Sequence, residues 1–217
     1  LRTILFDGVG LSAPPLKVMM TMNPPSTAHG TTPGSCGGDL PGGEILCTTL
    51  NDGAIALVRV VGRGSHLNAA SFKKFADVIQ DAGGAHKFVL DLDPCETLDS
   101  TFLGVLAAVA LRQKAGGDGS LIVLNVNSHV QRILKTMGLI HVLDVRENST
   151  SDCPDMSGAD QALRPVEEEA MSRVDQICLR LQAHKDLAEL DPENKGRFES
   201  VITYLEHSLE REKAKKS

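Results

Sequence analysis

Four carboxylates, Asp91, Asp93, Glu96 and Asp99, crowd one short stretch of the chain, and two hydroxyls, Ser100 and Thr101, follow directly. Carboxylates at this density have two readings. They would hold a divalent ion or carry a phosphoryl-transfer aspartate, or they would accept backbone hydrogen bonds at a strand end and cap the following helix. The second is simpler, because the stretch from Asp91 to Thr101 itself holds no lysine or histidine to complete a reaction scheme. Ser100 and Thr101 fall at or just inside a helix start, beside backbone N–H groups that have no intrahelical partner. A hydroxyl there either caps the helix or serves as a phosphoacceptor. Phosphate brings about −1.5 to −2 charges near neutral pH. The helix end tolerates that charge, whereas an apolar or acidic surface laid over it does not, because burying an unpaired dianion outweighs most single contacts. One hydroxyl would thus switch docking on and off without changing the fold.

Other chemistry finds little support. The seven histidines show no helix-borne zinc spacing, and the five cysteines, Cys36, Cys47, Cys95, Cys153 and Cys178, form no CxxC pair. No nucleophile elbow and no phosphate-binding glycine loop ending in Lys-Ser/Thr is present. Gly62-Arg63-Gly64 is too short for a dinucleotide fingerprint. Neither a metal nor a cofactor is expected, and an enzyme is not expected either.

The elements that must position these residues follow from periodicity and turn chemistry. ILCTTL (45–50) and AIALVRVVG (54–62) read as strands joined at Asn51-Asp52-Gly53, a tight-turn signal. Asn68 is placed to cap a helix to about residue 80, with Phe72, Phe75, Ala76 and Ile79 on one face. KFVLDL (87–92) is a buried strand, and 93–98 a loop. A helix over 100–115 carries Leu103, Val105, Leu106, Val109 and Leu111. SLIVLNV (120–126) is the next strand, a helix capped by Asn127 or Ser128 carries Val130, Ile133, Leu134 and Met137, Gly138 ends it, and 140–145 forms a last strand. The class is α/β: a mixed, mostly parallel sheet with an opening hairpin and alternating helices. Beyond it, a helix over 166–189 with Ala170, Val174, Ile177, Leu181 and Ala188 along one side, and a second starting at Asp191-Pro192-Glu193 with Phe198, Val201, Ile202, Leu205 and Leu209, read as a C-terminal helical hairpin. An apolar stripe must be covered, so the hairpin packs on itself, on the sheet domain or on a second copy.

VLDLDPCETLDSTFLGVLAAV (89–109) resembles the core signature of STAS domains, the anti-sigma factor antagonist family, in which a buried strand ends in Asp and a loop leads to Asp-Ser-Ser/Thr-Gly-Leu-Gly-Val at the head of a helix. LIVLNVNSHVQRILKTMGLIHVLDV (121–145) resembles the rest of the domain. The resemblance covers about residues 44–146. It implies a STAS-like fold and a module that sequesters a kinase-like anti-sigma factor or related regulatory protein, which phosphorylates it and is opposed by a phosphatase. Aligned on Asp99, Thr101 is the implied phosphoacceptor, with Ser100 the less favoured one. Asp99, Phe102, Leu103, Arg63 and His66 are the implied partner-binding residues. Two departures stand out. Phe102 replaces the family's Gly, where a ring would fill a partner pocket or add bulk beside the switch. Gly62-Arg63-Gly64-Ser65-His66-Leu67-Asn68 replaces a loop that often reads Gly-x-Leu/Ile-Asp, so Arg63 and His66 bring a different surface. The alternative keeps the fold without the switch, as a constitutive assembly subunit of a signalling or lipid-transport complex.

The bulk properties agree with a binding protein. Of 217 residues, 41% are hydrophobic, enough for a real core, while only 3% are aromatic. The net charge of −6 opposes binding to nucleic acid. No stretch reaches the apolar length of a membrane span, and Asp7, Pro14, Pro15 and Lys17 break the opening 1–22 before it forms a signal-peptide core. A dispersed, odd set of cysteines suits a reducing compartment, and a cytoplasmic protein is expected. The expected layout is a disordered Pro/Gly/Ser/Thr-rich leader over 1–43, the domain over 44–146, a linker over 147–165 and the helical hairpin over 166–213, with self-association through the hairpin as one option.

Overall fold

The computed structural model describes residues 43–81, 87–117, 121–146, 156, 158–166 and 170–215. Residues 1–42 of the expected leader, and much of the expected linker, lie outside the described residues. The first two strands, β1 (Glu44–Leu50) and β2 (Ile55–Gly64), form an antiparallel hairpin with Leu50 opposite Ile55. Its turn is made by Asn51, Asp52 and Gly53, all at positive φ, which suits these residue types. Helix α1 (Ala69–Asp81) leads to β3 (Lys87–Asp91), and α2 (Ser100–Ala115) leads to β5 (Leu121–Leu124). α3 (Ser128–Thr136), a 3-10 turn (Leu139–His141) and β6 (Leu143–Arg146) complete the alternation. Strands β2, β3, β5 and β6 pair in parallel, giving the sheet order β6-β5-β3-β2-β1 before its last edge. The fold is the mixed sheet with an opening hairpin and alternating helices that the sequence predicts.

Alternate strand residues face opposite ways, and each face has its own core. Ala56, Val58, Val60, Phe88, Leu90, Leu121 and Val123 pack with residues of α1, α2 and α3. Ile55, Leu57, Val89, Ile122 and Leu124 face the other side. That second face is closed by a segment expected as linker. A one-turn helix, α4 (Ala159–Ala162), brings Ala159 and Leu163 onto it, and β7 (Arg164–Pro165) pairs with β1 at the sheet edge. Leaving an apolar sheet face in water is costly, and these residues, with Met156, pack against it.

Three other local expectations change. Residues 95–98, expected as loop, form β4 (Cys95–Leu98), which pairs with the far end of β2 across a register shift at Gly62/Arg63. The last strand starts at Leu143 because Gly138, at φ 73, first launches a 3-10 turn. The first helix of the hairpin, α5 (Arg173–Leu190), begins at Arg173 and not near 166, because Pro165 belongs to the sheet edge and Ser172 caps the helix by accepting from the Asp175 N–H at 3.2 Å.

Helix α6 (Pro192–Ala214) starts as its sequence predicts, with Asp191 accepting from the Glu193 N–H at 2.9 Å. Ile177, Leu181 and Leu205 form a small core between the two hairpin helices. Ala183, Leu187 and Phe198 join the main core instead. The hairpin therefore lies on the domain, with α5 running along α2.

Candidate docking site at the head of the second helix

Asp99 organises the site. Its backbone is extended, its Oδ1 accepts from the Phe102 N–H at 2.8 Å, and the helix hydrogen-bond ladder starts at its carbonyl, which accepts from the Leu103 N–H at 2.9 Å. Its other carboxylate oxygen accepts from the His66 N–H at 2.8 Å and lies 3.4 Å from His66 Nδ1. One side chain thus caps α2 and holds the loop that follows β2. Asn68 secures the same loop from below. It does not cap α1 with its side chain as its position suggested. Its Oδ1 accepts from the Ser65 N–H, and its Nδ2 donates to the Gly43 and Arg63 carbonyls, all at 2.8 Å. Arg63, at the end of β2, and His66, on this loop, are exposed. Leu67 beside them is 63% exposed.

Of the four clustered carboxylates, only Asp91 and Asp99 are engaged in the described contacts, and they do not converge. Asp91 is buried. It accepts from Arg59 Nε and Asn125 Nδ2 at 2.7 Å and from the Asp93 N–H at 3.1 Å. Arg59 continues to Asp160 at 2.6 Å, which ties α4 to the sheet. Asp93 and Glu96 point to solvent. Among the described residues no group of three or more His, Cys, Asp or Glu is arranged to hold a metal. Cys95 is a buried thiol pushed up to about 11, chiefly by desolvation. His129 Nε2 lies 3.2 Å from Thr97 Oγ1 at the rim.

The hydroxyls are not displayed as their position in the sequence suggested. Thr101 is 4% exposed. Ser100 is half-buried, with its Oγ 3.0 Å from His184 Nε2 on α5. His184 Nδ1 lies 2.7 Å from the Arg180 carbonyl. A carbonyl only accepts, so Nδ1 carries the proton, and in the neutral ring Nε2 accepts from the Ser100 hydroxyl. His184 is 6% exposed and meets Phe198 edge-on at 5.2 Å.

Phe102 and Leu103, expected on the partner-binding surface, belong to the core. The Phe102 ring is fully buried and stacks on Phe72 at 5.2 Å. Room for it comes from Gly64, where an added Cβ would stand 3.1 Å from the ring. The physical reason is that α2 is apolar around its whole circumference over residues 102–110. Phe102, Leu103, Val105, Leu106, Val109 and Ala110 are all buried, and the helix packs on α1 and the sheet. A helix apolar all round must be covered all round. The remaining side of α2 carries small residues. Helical spacing sets Thr101, Gly104 and Ala108 on one face, and α5 lies against it. An added Cβ at Gly104 would fall inside the van der Waals envelope of the Ala183 carbonyl and 2.6 Å from its Cα.

The sequence reading missed His184 and α5 as parts of this site. The signal was present: small residues at 101, 104 and 108 on an otherwise bulky helix mark a close helix crossing. Nothing in the sequence said which helix fills it.

Residues 48–151 match the family model described as STAS domain. No curated protein matches the chain in sequence. Among solved structures, the chain is similar to a protein of Thermotoga maritima titled as a proposed anti-sigma factor antagonist, at 20% identity over 54% of this chain and 92% of that one, with a TM-score of 0.43. It is also similar to the anti-sigma factor antagonist SpoIIAA in its unphosphorylated form, at 12% identity over 54% of this chain and 96% of that one, with a TM-score of 0.42. The phosphorylated form of SpoIIAA, described as a cell fate determinant of Bacillus, gives 13% identity over 54% and 97%, with a TM-score of 0.42.

Proposed function

Taking residues 48–151 as a STAS domain, we propose that this chain is a regulatory module that works by binding another protein at the head of α2, and not by catalysis. The proposed partner is a kinase-like anti-sigma factor or a related regulatory protein, held while Thr101 and Ser100 are unmodified and released when one of them carries phosphate. A phosphatase resets the module, and the cytoplasm is where such partners meet. The observation that carries this reading is the double role of Asp99. One carboxylate fixes both the helix head and the His66 loop, so Arg63, His66, Leu67 and Ser100 belong to one preorganised surface. Preorganisation lowers the ordering cost of docking.

Thr101 remains the proposed phosphoacceptor, with Ser100 second, but its burial adds a condition: α5 must move before a kinase reaches it. That same burial favours a second reading, a constitutive assembly subunit of a signalling or lipid-transport complex in which Ser100 and Thr101 are structural. The two separate when the full chain is incubated with a kinase-like anti-sigma factor from the same genome and ATP. Complex formation is followed by gel filtration and modification by mass spectrometry. The switch predicts one phosphate at Thr101 or Ser100 and dissolution of the complex. A complex that persists without phosphate establishes the constitutive reading, and the absence of both binding and phosphate removes the anti-sigma partner.

A further inference from the structure

We propose that α5 is a displaceable internal occupant of the α2 head: the hairpin closes the face that carries Thr101 and Ser100, and an outside protein reaches those hydroxyls only by exchanging with it. This inference rests on reading the head of α2 as the docking face, and it adds the reason that the face is closed.

Three observations carry it. First, at the head of α2 the contact is made by small groups and one hydrogen bond. Gly104 faces the backbone at Ala183, and Ser100 meets His184. The hairpin adds Ala183, Leu187 and Phe198 to the main core, but Phe72, Phe88, Phe102, Leu103 and Leu106 come from the domain itself, so the domain keeps most of its interior if α5 leaves. Second, the hairpin has a core of its own in Ile177, Leu181 and Leu205, and Lys185 pairs with Glu206 between its helices at 2.7 Å. It has the means to move as a unit. Third, the hairpin is also tied by hydrogen bonds at the turn between its helices, away from the switch. Asn194 is fully buried and donates to the Met137 and Leu187 carbonyls at 3.1 and 3.0 Å, and Arg197 donates to the Thr136 carbonyl at 3.0 Å. The bonds to Met137 and Thr136 tie the turn to the end of α3, the bond to Leu187 holds the turn to α5, and a pivot there would lift α5 from α2 without freeing the chain.

The test uses the full chain with Thr101→Cys as a reporter, alkylated by N-ethylmaleimide and followed residue by residue by mass spectrometry. Cys95 is the internal control. It is buried in β4, and its thiol, pushed up to about 11 by burial, stays protonated and slow while the domain is folded. Ala183→Glu is the release variant, because it sets a charged side chain against Gly104 while leaving every residue of the sheet domain unchanged. The proposal expects slow labelling of Thr101→Cys alone and labelling at least ten times faster with Ala183→Glu added, while Cys95 stays unlabelled in both. Three results overturn it. Fast labelling of Thr101→Cys alone means the face is open. Unchanged slow labelling in the release variant means that α5 is not what closes it. A parallel rise at Cys95 means that the hairpin is integral to the domain and cannot leave it. No partner or kinase enters this experiment, so its result is independent of whether the docking partner proposed above exists.

Discussion

Thr101 and Ser100 are adjacent hydroxyls with opposite tolerance for charge, and the difference is environmental. Ser100 sits in the first turn of α2, half-buried, with the His184 ring at 3.0 Å. A carboxylate there gains from the helix N-terminus, about 0.3–1 kcal/mol, and keeps contact with solvent. Thr101 is sealed among neighbours. An unpaired charge forced into such a place costs several kcal/mol, about 3–5 where a buried pair is broken. Thr101→Asp is therefore expected to lower the urea-unfolding free energy by about 3 kcal/mol or to unseat α5, whereas Ser100→Asp changes it by less than about 1 kcal/mol. Equal effects of the two substitutions would mean that Thr101 is as accessible as Ser100. A practical consequence follows: lost partner binding in Thr101→Asp does not by itself demonstrate a phospho-switch, and direct mapping of phosphate is the decisive measurement.

At the scale of elements, Gly104 turns the seating of α5 into a sign. Within an uncovered helix, Gly→Ala stabilises by about 1 kcal/mol through backbone entropy. Against a seated α5 the same methyl meets the Ala183 backbone, and overpacking costs about 1–3 kcal/mol. Gly104→Ala is expected to destabilise the full chain in urea unfolding by about 1–2 kcal/mol net, while a gain of about 1 kcal/mol would show that the face is uncovered. This element also marks where the sequence stopped being legible. Strand and helix periodicity, the Asn51-Asp52-Gly53 turn, the caps at Asp99, Asn127 and Asp191 and the order of elements are local properties, and the structure carries them. The direction of Phe102, the closure of the back of the sheet by Ala159 and Leu163 and the pairing of Ser100 with His184 are all decided by segments tens of residues away. A Phe at position 102 reads as surface bulk until one knows that the first turns of α2 are enclosed on every side. The acidic run separates for the same reason: Asp91 is drawn inward by Arg59 and Asn125, while Asp99 is held at the helix head.

For the whole molecule, charged side chains gather where α1, α2 and α5 meet. Lys73 and Arg112 pair with Asp77, Arg112 also pairs with Asp81, and Asp186 on α5 enters the same cleft. The Asp186 carboxyl is held above its ordinary range, first by desolvation, then by Glu189, against the lowering effects of the Gln182 hydrogen bond and of Lys73. The sign of the linkage follows. A carboxyl raised in the folded state binds its proton more tightly there than in the unfolded chain, so its ionisation weakens the fold. The penalty sets in as pH rises from the unfolded value, about 3.9, through the raised folded value, and it persists at neutral pH. Because the group is partly exposed, solvent screening limits the penalty to roughly a few tenths of a kcal/mol. Asp186→Asn keeps an oxygen for the Gln182 bond and removes the charge. It is expected to stabilise the chain slightly near neutral pH and to make no difference below about pH 4, where both side chains are neutral. Urea midpoints for the two proteins at both pH values give the difference of differences, which cancels every other titrating group they share. An advantage for Asp186→Asn that is the same at both pH values would assign the effect to packing and detach the charge of α5 from its seating on α2.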